Sequence, residues 1–342
     1  MNKAPITILF FADSHLGFDD PVHPRIERRR RGDDFFANYC FLLDTALKQN
    51  VDLVIHGGDF FFRSRVPPSI IEKAYQPLVE TANAGLPIYL VPGNHERSHL
   101  PDHLWLHHPN IHVFDHPSTF QQEVRGTVLS LSGFPFARSV RSQFRSLVEQ
   151  TGWQAVQADI RLLCMHQSVE GARVGPVDFT FRADPDTIAG AHIPVGFAAV
   201  LSGHIHRSQV LTHTLDGQAM EAAVIYPGSI ERTSLAERFE EKHYVILKFD
   251  PEAGITKPEV EFLPLKTRPM VKVEIPARGK GVTAWRKDLQ DCLNRFERDA
   301  VVSIHFTGEH ADQARLAFSA AELRGMAAPG MNVSLAFPRG RS

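Results

Sequence analysis

The sequence predicts an α/β fold, in which sheets with many parallel strands are covered by helices, followed by a smaller domain at the carboxyl-terminal end. Continuous apolar runs, typical of strands buried on both faces, alternate with stretches whose apolar residues recur at helical spacing. Such alternation is typical of partly parallel sheets. A second, shorter alternation of the same kind begins after Arg268-Pro269.

The first part of the chain is predicted to alternate strands and helices. The run ITILFFA is apolar apart from Thr7, which indicates a buried strand. The second helix is predicted from its Pro-Pro-Ser start and from Gly85, which follows it. In order, we expect a strand over 6–12, a helix over 33–49, a strand over 51–56, a helix over 67–84 and a strand over 87–92.

The rest of the chain is predicted to be rich in strands and to contain the domain boundary. Composition shifts near Lys266, so we expect one domain over 1–266 and a second over 267–342. Strands of the first domain are expected over 128–134, 160–166, 198–201, 209–215, 219–226 and 244–249. In the second, an α+β unit, strands are expected over 270–276, 300–306 and 331–337, with helices over 282–296 and 310–323.

Composition excludes several classes of function. The chain has 342 residues and a net charge of −2, so no overall basic field attracts a polyanion, although a local basic patch would suffice. Its 3 cysteines show no CxxC spacing, which argues against a disulfide framework or a cysteine–zinc site. The apolar run near the amino terminus is too short for a signal peptide or membrane span, and we expect a cytoplasmic protein without a membrane partner.

Five of the predicted strands end in polar clusters. Ligands of open α/β sheets collect just outside the carboxyl ends of strands, so these clusters are expected to meet. One HxH sequence alone would be weak evidence for a functional site. Five polar strand ends in this order are not expected by chance. The clusters are Asp13-Ser14-His15, Gly57-Gly58-Asp59, Gly93-Asn94-His95-Glu96, His166 and His204-Ile205-His206.

These residues are typical ligands of divalent transition metals. Two aspartates, one asparagine and four histidines supply hard and borderline donors without a thiolate, which suits Mn²⁺, Fe²⁺ or Zn²⁺. Seven ligands are too many for one ion. The set therefore predicts two ions, about 3.5–4 Å apart, that share one carboxylate and activate a water molecule.

The five polar clusters resemble the motifs of the calcineurin-like metallophosphoesterase superfamily. The resemblance implies a four-layer αββα sandwich and a pair of divalent ions, for which Mn²⁺ is the expected metal. It implies that His95 is a catalytic residue that protonates the leaving oxygen or stabilises the transition state. It implies that one ion is held by Asp13, His15, Asp59 and His206, and the other by Asp59, Asn94, His166 and His204.

Other segments are similar to those of SbcD-type DNA repair exonucleases. These are Asp13-Ser-His-Leu-Gly17, His56-Gly-Gly-Asp-Phe-Phe61, Tyr226-Pro-Gly-Ser-Ile-Glu-Arg232, residues 240–248 and Pro264-Leu-Lys-Thr-Arg-Pro269. The resemblance implies a DNA exonuclease whose second domain is a cap that helps to engage DNA. It also implies a coiled-coil SMC-like ATPase partner and allows a homodimer, although no segment before Ser342 is expected to clasp the ATPase.

Roles can also be predicted for four further residues near the motifs. Phe62 stands where relatives usually have an aspartate or histidine, so we expect His95 to lack its usual orienting partner. Arg63 and Arg65 are predicted to contact substrate phosphates, and His56 to support the metal ligands from behind. The basic run 25–31 suits either phosphate contact or a solvated loop.

Two alternatives to a DNA exonuclease remain at this stage. One is a phosphodiesterase or phosphatase acting on small or nucleotide substrates, which Phe62 and the lack of an ATPase-binding segment keep open. The other is a non-catalytic scaffold, against which the complete set of seven ligands and His95 argues.

Overall fold

The structure, a computed structural model, describes residues 5–19, 30–252, 255–279 and 281–336. Contacts divide these residues into two compact units. The larger unit comprises residues 5–18, 34–231, 240–252 and 255–266, and the smaller one comprises 19, 30–33, 232–239, 267–279 and 281–336. The sequence did not indicate that residues 232–239 belong with the smaller unit.

The larger unit is built mainly from strands. The strands are β1 Ile6–Phe11, β2 Leu53–His56, β3 Ile88–Leu90, β4 Ile111–Val113, β5 Ser118–Val124, β6 Thr127–Gly133, β7 Ile160–Met165, β8 Ser168–Val169, β9 Arg173–Val174, β10 Phe179–Thr180, β11 Thr187–Ile188, β12 Ala199–Ser202, β13 Gln209–His213, β14 Ala219–Tyr226, β15 Lys242–Asp250 and β16 Ile255–Leu265. The helices are α1 Arg31–Lys48, which belongs to this unit from Asp34 onwards, α2 Pro68–Asn83 and α3 Val140–Gln150.

Two six-stranded sheets form the centre of this unit. The first has the order β16-β15-β1-β2-β3-β4, with β1 to β4 parallel and β15 antiparallel to β1. The second has the order β13-β14-β12-β7-β6-β5, in which β14, β12, β7 and β6 are parallel. The carboxyl ends of β1, β2 and β3 therefore lie along one edge of the first sheet, and those of β7 and β12 along one edge of the second.

Each sheet is buried on both faces because its strands alternate side chains between two apolar clusters. In β1, Leu9 and Phe11 pack with helix residues such as Phe35, whereas Ile8 and Phe10 pack with residues of the second sheet. The other face of the second sheet packs against Phe144 and its neighbours in α3. The layers thus run helix, sheet, sheet, helix, and the αββα sandwich is confirmed.

The smaller unit contains a three-stranded parallel sheet and three helices around their own apolar cluster. The predicted helix over 310–323 is wrong as a single element. It is two helices, and the second begins at Ala320, after the N-cap residue Ser319, whose side chain forms a capping box with Glu322. The elements are β17 Met270–Pro276, α4 Gly281–Leu293, β18 Val301–Thr307, α5 Ala311–Leu316, α6 Ala320–Met326 and β19 Asn332–Leu335. Among the described helices of both units, none is both long and apolar enough to cross a bilayer.

Candidate metal centre

The predicted ligands occupy the turns that follow five strands. Several of these turns hold non-glycine residues at positive φ, namely Asp13 (54°), His15 (43°), Asp59 (51°) and His204 (81°). Such backbone conformations cost about 1–3 kcal/mol each and persist where the surrounding structure enforces them, which is common at functional sites. Four of the seven predicted ligands therefore have an energetically unfavourable backbone conformation.

A first group of side chains consists of Asp13, His15 and His206. The Nε2 atoms of His15 and His206 are 3.0 Å apart. The Asp13 Oδ1 atom lies 4.0 Å from His15 Nε2 and 3.7 Å from His206 Nε2. These three ligand atoms lie within 4.8 Å of one another, and three metal ligands with bonds of about 2.0–2.2 Å would be spaced in this way.

A second group consists of Asp59, Asn94, His166 and His204. His166 Nε2 lies 3.4 Å from Asp59 Oδ2. The Asn94 Oδ1 atom is 3.1 Å from His166 Nε2 and 3.0 Å from His204 Nδ1. Asp59 also lies within 4.8 Å of His15 and His95, so it connects the two groups, as a shared carboxylate would. The structure thus brings all seven predicted ligands together.

Backbone groups fix the orientation of both carboxylates. The main-chain N–H of His204 donates to both oxygens of Asp13, at 3.2 and 3.1 Å. The main-chain N–H of His95 donates to Asp59 Oδ1 at 2.9 Å, which leaves Asp59 Oδ2 facing the imidazoles. The donor set of carboxylate, amide and imidazole groups, converging on a buried centre, fits a pair of divalent cations.

Burial and mutual charges shift the pKa values of these groups strongly. Burial lowers the pKa of His15 well below its usual value and that of His204 to about 3, so both imidazoles are neutral and able to bind a metal. Burial raises the pKa of Asp13 to about 6. Burial opposes charge on Asp59 and His166 as well, but their attraction outweighs it: the pKa of Asp59 falls, and that of His166 rises to about 9.

Two glycines are required by close approaches within the site. A Cβ atom on Gly58 would lie 2.1 Å from His166 Nδ1, and Gly58 also has a φ of +106°. A Cβ atom on Gly93 would lie 2.2 Å from Asp59 Oδ1. Both glycines of the GD and GNHE motifs are therefore explained by the packing of the ligands themselves.

His56 contacts the turns that carry the predicted ligands Asp13 and Asp59. Its Nδ1 atom accepts from the Gly58 N–H at 3.2 Å, so Nε2 carries the proton and faces Ser14 Oγ at 2.8 Å. Burial, followed by the charge of His166, lowers the pKa of His56 to about 3, so the ring is neutral. His56 therefore joins the turn after β1 to the turn after β2.

Two residues that support the ligands were not predicted. Glu96 is buried and accepts from the main-chain N–H groups of Phe61 (2.6 Å) and Gly93 (3.1 Å), which joins the turns carrying Asp59 and Asn94. The Nζ atom of Lys242 is buried and donates to the main-chain oxygen of His206 at 3.0 Å. Both residues stand in quoted motifs, but only folding shows which backbone atoms they reach.

The expectation that His95 lacks an orienting partner is wrong. The phenyl side chain of Phe62 cannot accept a hydrogen bond, but its main-chain oxygen lies 2.6 Å from His95 Nδ1. A carbonyl oxygen can only accept, so Nδ1 donates this hydrogen bond, and Nε2 is left facing Asp59 Oδ2 at 3.8 Å. A backbone carbonyl thus replaces the side-chain partner.

The basic residues near the motifs differ in their surroundings. Arg63 and Arg65 are exposed, and no carboxylate in the described ranges lies within 4.0 Å of either guanidinium. Residues 25–29 of the basic run lie outside the described residues. Arg31 is buried and donates to the main-chain oxygen of Arg232, so neither of the two interpretations of this run, phosphate contact or a solvated loop, is supported at Arg31.

The chain resembles Mre11/SbcD-type DNA repair nucleases at moderate identity over most of its length. It is 24% identical to the DNA double-strand break repair protein Mre11 of Archaeoglobus fulgidus over 310 residues, covering 85% of this chain and 66% of the relative. It is 28% identical to Mre11 of Haloferax volcanii over 307 residues, covering 88% of this chain and 61% of the relative. The chain thus spans less than two thirds of the length of either relative.

A solved structure of a dimetal phosphatase from Danio rerio is 12% identical and covers 71% of this chain and 92% of its own, with a TM-score of 0.43. A family model described as calcineurin-like phosphoesterase matches residues 6–208, which include all seven predicted ligands and His95. Because that match covers more than half of the sequence, the chain belongs to the calcineurin-like phosphoesterase family.

Proposed function

We propose that this protein is a two-metal phosphodiesterase that hydrolyses DNA from its ends. The observation that carries the proposal is the junction at Asp59, where two groups of ligand atoms adjoin and the imidazole of His95 faces the shared carboxylate. Two cations bound there would lower the pKa of a water molecule and neutralise charge on the phosphoryl oxygens. Mn²⁺ is the proposed metal.

The chain's own residues would perform three tasks. Asp13, Asp59 and their histidine neighbours would hold the cations in a fixed arrangement, which positions the phosphate without reorganisation. His95, oriented by the Phe62 carbonyl, would donate a proton to the leaving oxygen. Arg63 and Arg65 would attract phosphates on either side of the scissile bond.

DNA is proposed as the substrate because two relatives of the chain are named as DNA double-strand break repair proteins. The similar segments noted in the sequence support the same substrate. A capping domain over 267–342 that engages DNA, a coiled-coil SMC-like ATPase partner and a homodimer are further parts of this proposal that depend on the resemblance alone.

One assay tests the proposal against its alternatives. Purified protein with Mn²⁺ would receive linear duplex DNA, single-stranded DNA, closed circular DNA, a cyclic nucleotide and an aryl phosphodiester. We expect nucleotides to be released from linear DNA and from no closed circle. Activity on the aryl ester or the cyclic nucleotide without any on DNA would overturn the nuclease proposal. No turnover of any substrate, with the bound metal measured, would favour a scaffold.

A further inference from the structure

The side chain of Phe62 is not needed to orient His95, because the main-chain oxygen of Phe62 accepts the hydrogen bond from His95 Nδ1. The phenyl ring instead lies beside the site. Its centroid is 6.0 Å from that of the His15 ring and 5.7 Å from that of the His95 ring. Phe62 is partly exposed, although many other phenylalanines of this unit are buried. The ring therefore forms part of the rim of the metal centre.

The neighbouring residues hold this ring in place and add a positive charge. Phe18 packs against it at a centroid distance of 4.8 Å, with the planes at 68°. The guanidinium carbon of Arg63 lies over the ring, 5.5 Å from its centroid. Arg63 is exposed and has no carboxylate within 4.0 Å in the described part of the chain. A partly exposed aromatic ring and an available guanidinium group thus adjoin His95.

This pair has the chemistry that recognises a nucleobase beside a phosphate. Aromatic rings and arginine planes stack on bases, and they do so with little sequence preference because every base has a π face. Resting on the proposed function, we propose that Phe62 and Arg63 form a stacking platform for a base of the nucleotide whose phosphate is cleaved. The substrates favoured by the platform are phosphodiesters that carry a base next to the scissile bond.

The test compares two substrates that differ only in their bases. One is the dinucleotide thymidylyl-thymidine, and the other is its analogue with tetrahydrofuran residues in place of both nucleosides, which keeps the phosphodiester charge. With Mn²⁺, we expect the wild-type protein to cleave the dinucleotide with a kcat/KM about tenfold higher. Phe62→Leu retains the backbone carbonyl and an apolar side chain, and should reduce that preference to about twofold or less by lowering only the dinucleotide value.

Two further variants separate stacking from charge and from stability. Arg63→Lys keeps the positive charge but removes the planar guanidinium, and we expect it to lower the preference for the dinucleotide in the same direction. Phe41→Leu changes a phenylalanine of the same unit that is 49% exposed and makes no described contact with a metal ligand, so the preference should stay at about tenfold. An equal loss on both substrates in Phe62→Leu would overturn the platform, because the ring would then act by positioning His15 or His95. An unchanged preference would overturn it as well.

A binding measurement keeps this inference separate from the proposed function. If the wild-type protein also cleaves no linear DNA, the proposed function fails, whereas lack of cleavage of these two small substrates alone leaves it standing. Calorimetric titration with thymidine 5′-monophosphate and with 2-deoxyribose 5-phosphate, both with Mn²⁺, then tests the platform itself. Weaker binding of the thymidine compound alone in Phe62→Leu supports the platform. Equal affinity of wild type and variant for it would overturn the platform.

Discussion

The Nδ1 atom of His95 lies 2.6 Å from the main-chain oxygen of Phe62, and this contact fixes the direction of the ring. The other nitrogen, Nε2, consequently faces Asp59 Oδ2 at 3.8 Å. A residue held in this way by a backbone atom keeps its orientation whatever side chain stands at position 62. The same arrangement supports the proposed role of His95 as the proton donor.

We therefore expect His95→Gln to lower kcat by about 10²–10⁴-fold on the substrate that the wild-type protein cleaves, since positioned proton transfer is worth that much. Metal content, measured by elemental analysis, should stay at the wild-type value because His95 is not among the seven expected ligands. His107→Gln, at a histidine whose side chain is 72% exposed, serves as the matched control and should leave kcat unchanged. Loss of one metal ion in His95→Gln would instead make His95 a ligand.

Asp59 connects the two groups of ligands, and its replacement should disturb both. Asp59→Asn keeps an oxygen that can accept from the His95 N–H but removes the charge that two cations would share. We expect about two Mn²⁺ ions per chain in the wild-type protein, one or none in the variant, and a loss of activity of at least about 10³-fold. The control is Asp102→Asn, at a side chain that is 98% exposed. A variant that still binds two ions would contradict the sharing of this carboxylate.

The sequence predicted which side chains the fold brings together, because these residues follow apolar strands whose carboxyl ends must meet at one side of a sheet. It predicted the strands β1, β2 and β7 because each is apolar apart from one residue, namely Thr7, His56 and Arg161, respectively. It missed β5, whose sequence STFQQEV is polar because the strand lies at the edge of its sheet. A strand with one solvated side lacks the pattern that identifies a buried one.

Contacts made by backbone atoms could not be predicted from the sequence either. Nothing in the residue type of Phe62 shows that its carbonyl reaches His95, and the prediction of a missing partner was wrong for that reason. The helix α3 was missed for a different reason. Its apolar residues Val140, Phe144 and Val148 recur every four positions, but Ser139 precedes it at a positive φ without a side-chain cap, so no sequence signal marks its start.

The opposing charges of His166 and Asp59 predict how metal binding depends on pH. Attraction to Asp59 raises the pKa of His166 to about 9, so the metal-free protein carries a proton that a cation must displace. Metal affinity should therefore rise between about pH 6.5 and pH 9, by up to tenfold per pH unit, with release of about one proton. Calorimetry in buffers of different ionisation enthalpy measures that proton. An affinity that is constant over this range would contradict the charge assignment.

The same pKa predicts the opposite trend for the stability of the metal-free protein. A histidine whose pKa is raised on folding stabilises the folded state fully below its unfolded value of about 6.5, and this contribution is lost as pH rises towards 9. The free energy of unfolding, measured with urea and a chelator, should thus fall between about pH 6.5 and pH 9. Full saturation with Mn²⁺ should remove that decline, because the proton is then absent from the folded state.

Gly58 has no room for a methyl group. Gly58→Ala would place Cβ 2.1 Å from His166 Nδ1, and we expect the free energy of unfolding to fall by about 3 kcal/mol or more and metal binding to be lost. Gly126→Ala is the control: Gly126 has a φ of +76° but no atom within 4 Å of its Cβ, so it reports backbone strain alone, about 1–2 kcal/mol. Urea denaturation and metal content measure both variants. A Gly58→Ala protein that resembles Gly126→Ala in both would rule out the clash.

Lys242 contacts the backbone of the predicted ligand His206. Its buried Nζ donates to the main-chain oxygen of His206 at 3.0 Å and lies 3.4 Å from Glu240 Oε2. Lys242→Met keeps the apolar stem but removes the donor, so His206 loses one of the contacts that fix its position. Because outer contacts of this kind are worth about 10–100-fold in metal affinity, we expect a loss within that range.

The control for Lys242→Met lies on the same strand. Lys248 in β15 pairs with Glu261 at 2.9 Å, but both side chains are almost half exposed and neither contacts a ligand. Lys248→Met should change the free energy of unfolding by less than about 1 kcal/mol and leave Mn²⁺ affinity unchanged. If Lys242→Met loses stability while it binds Mn²⁺ as tightly as the wild type, Lys242 stabilises the fold and does not position His206.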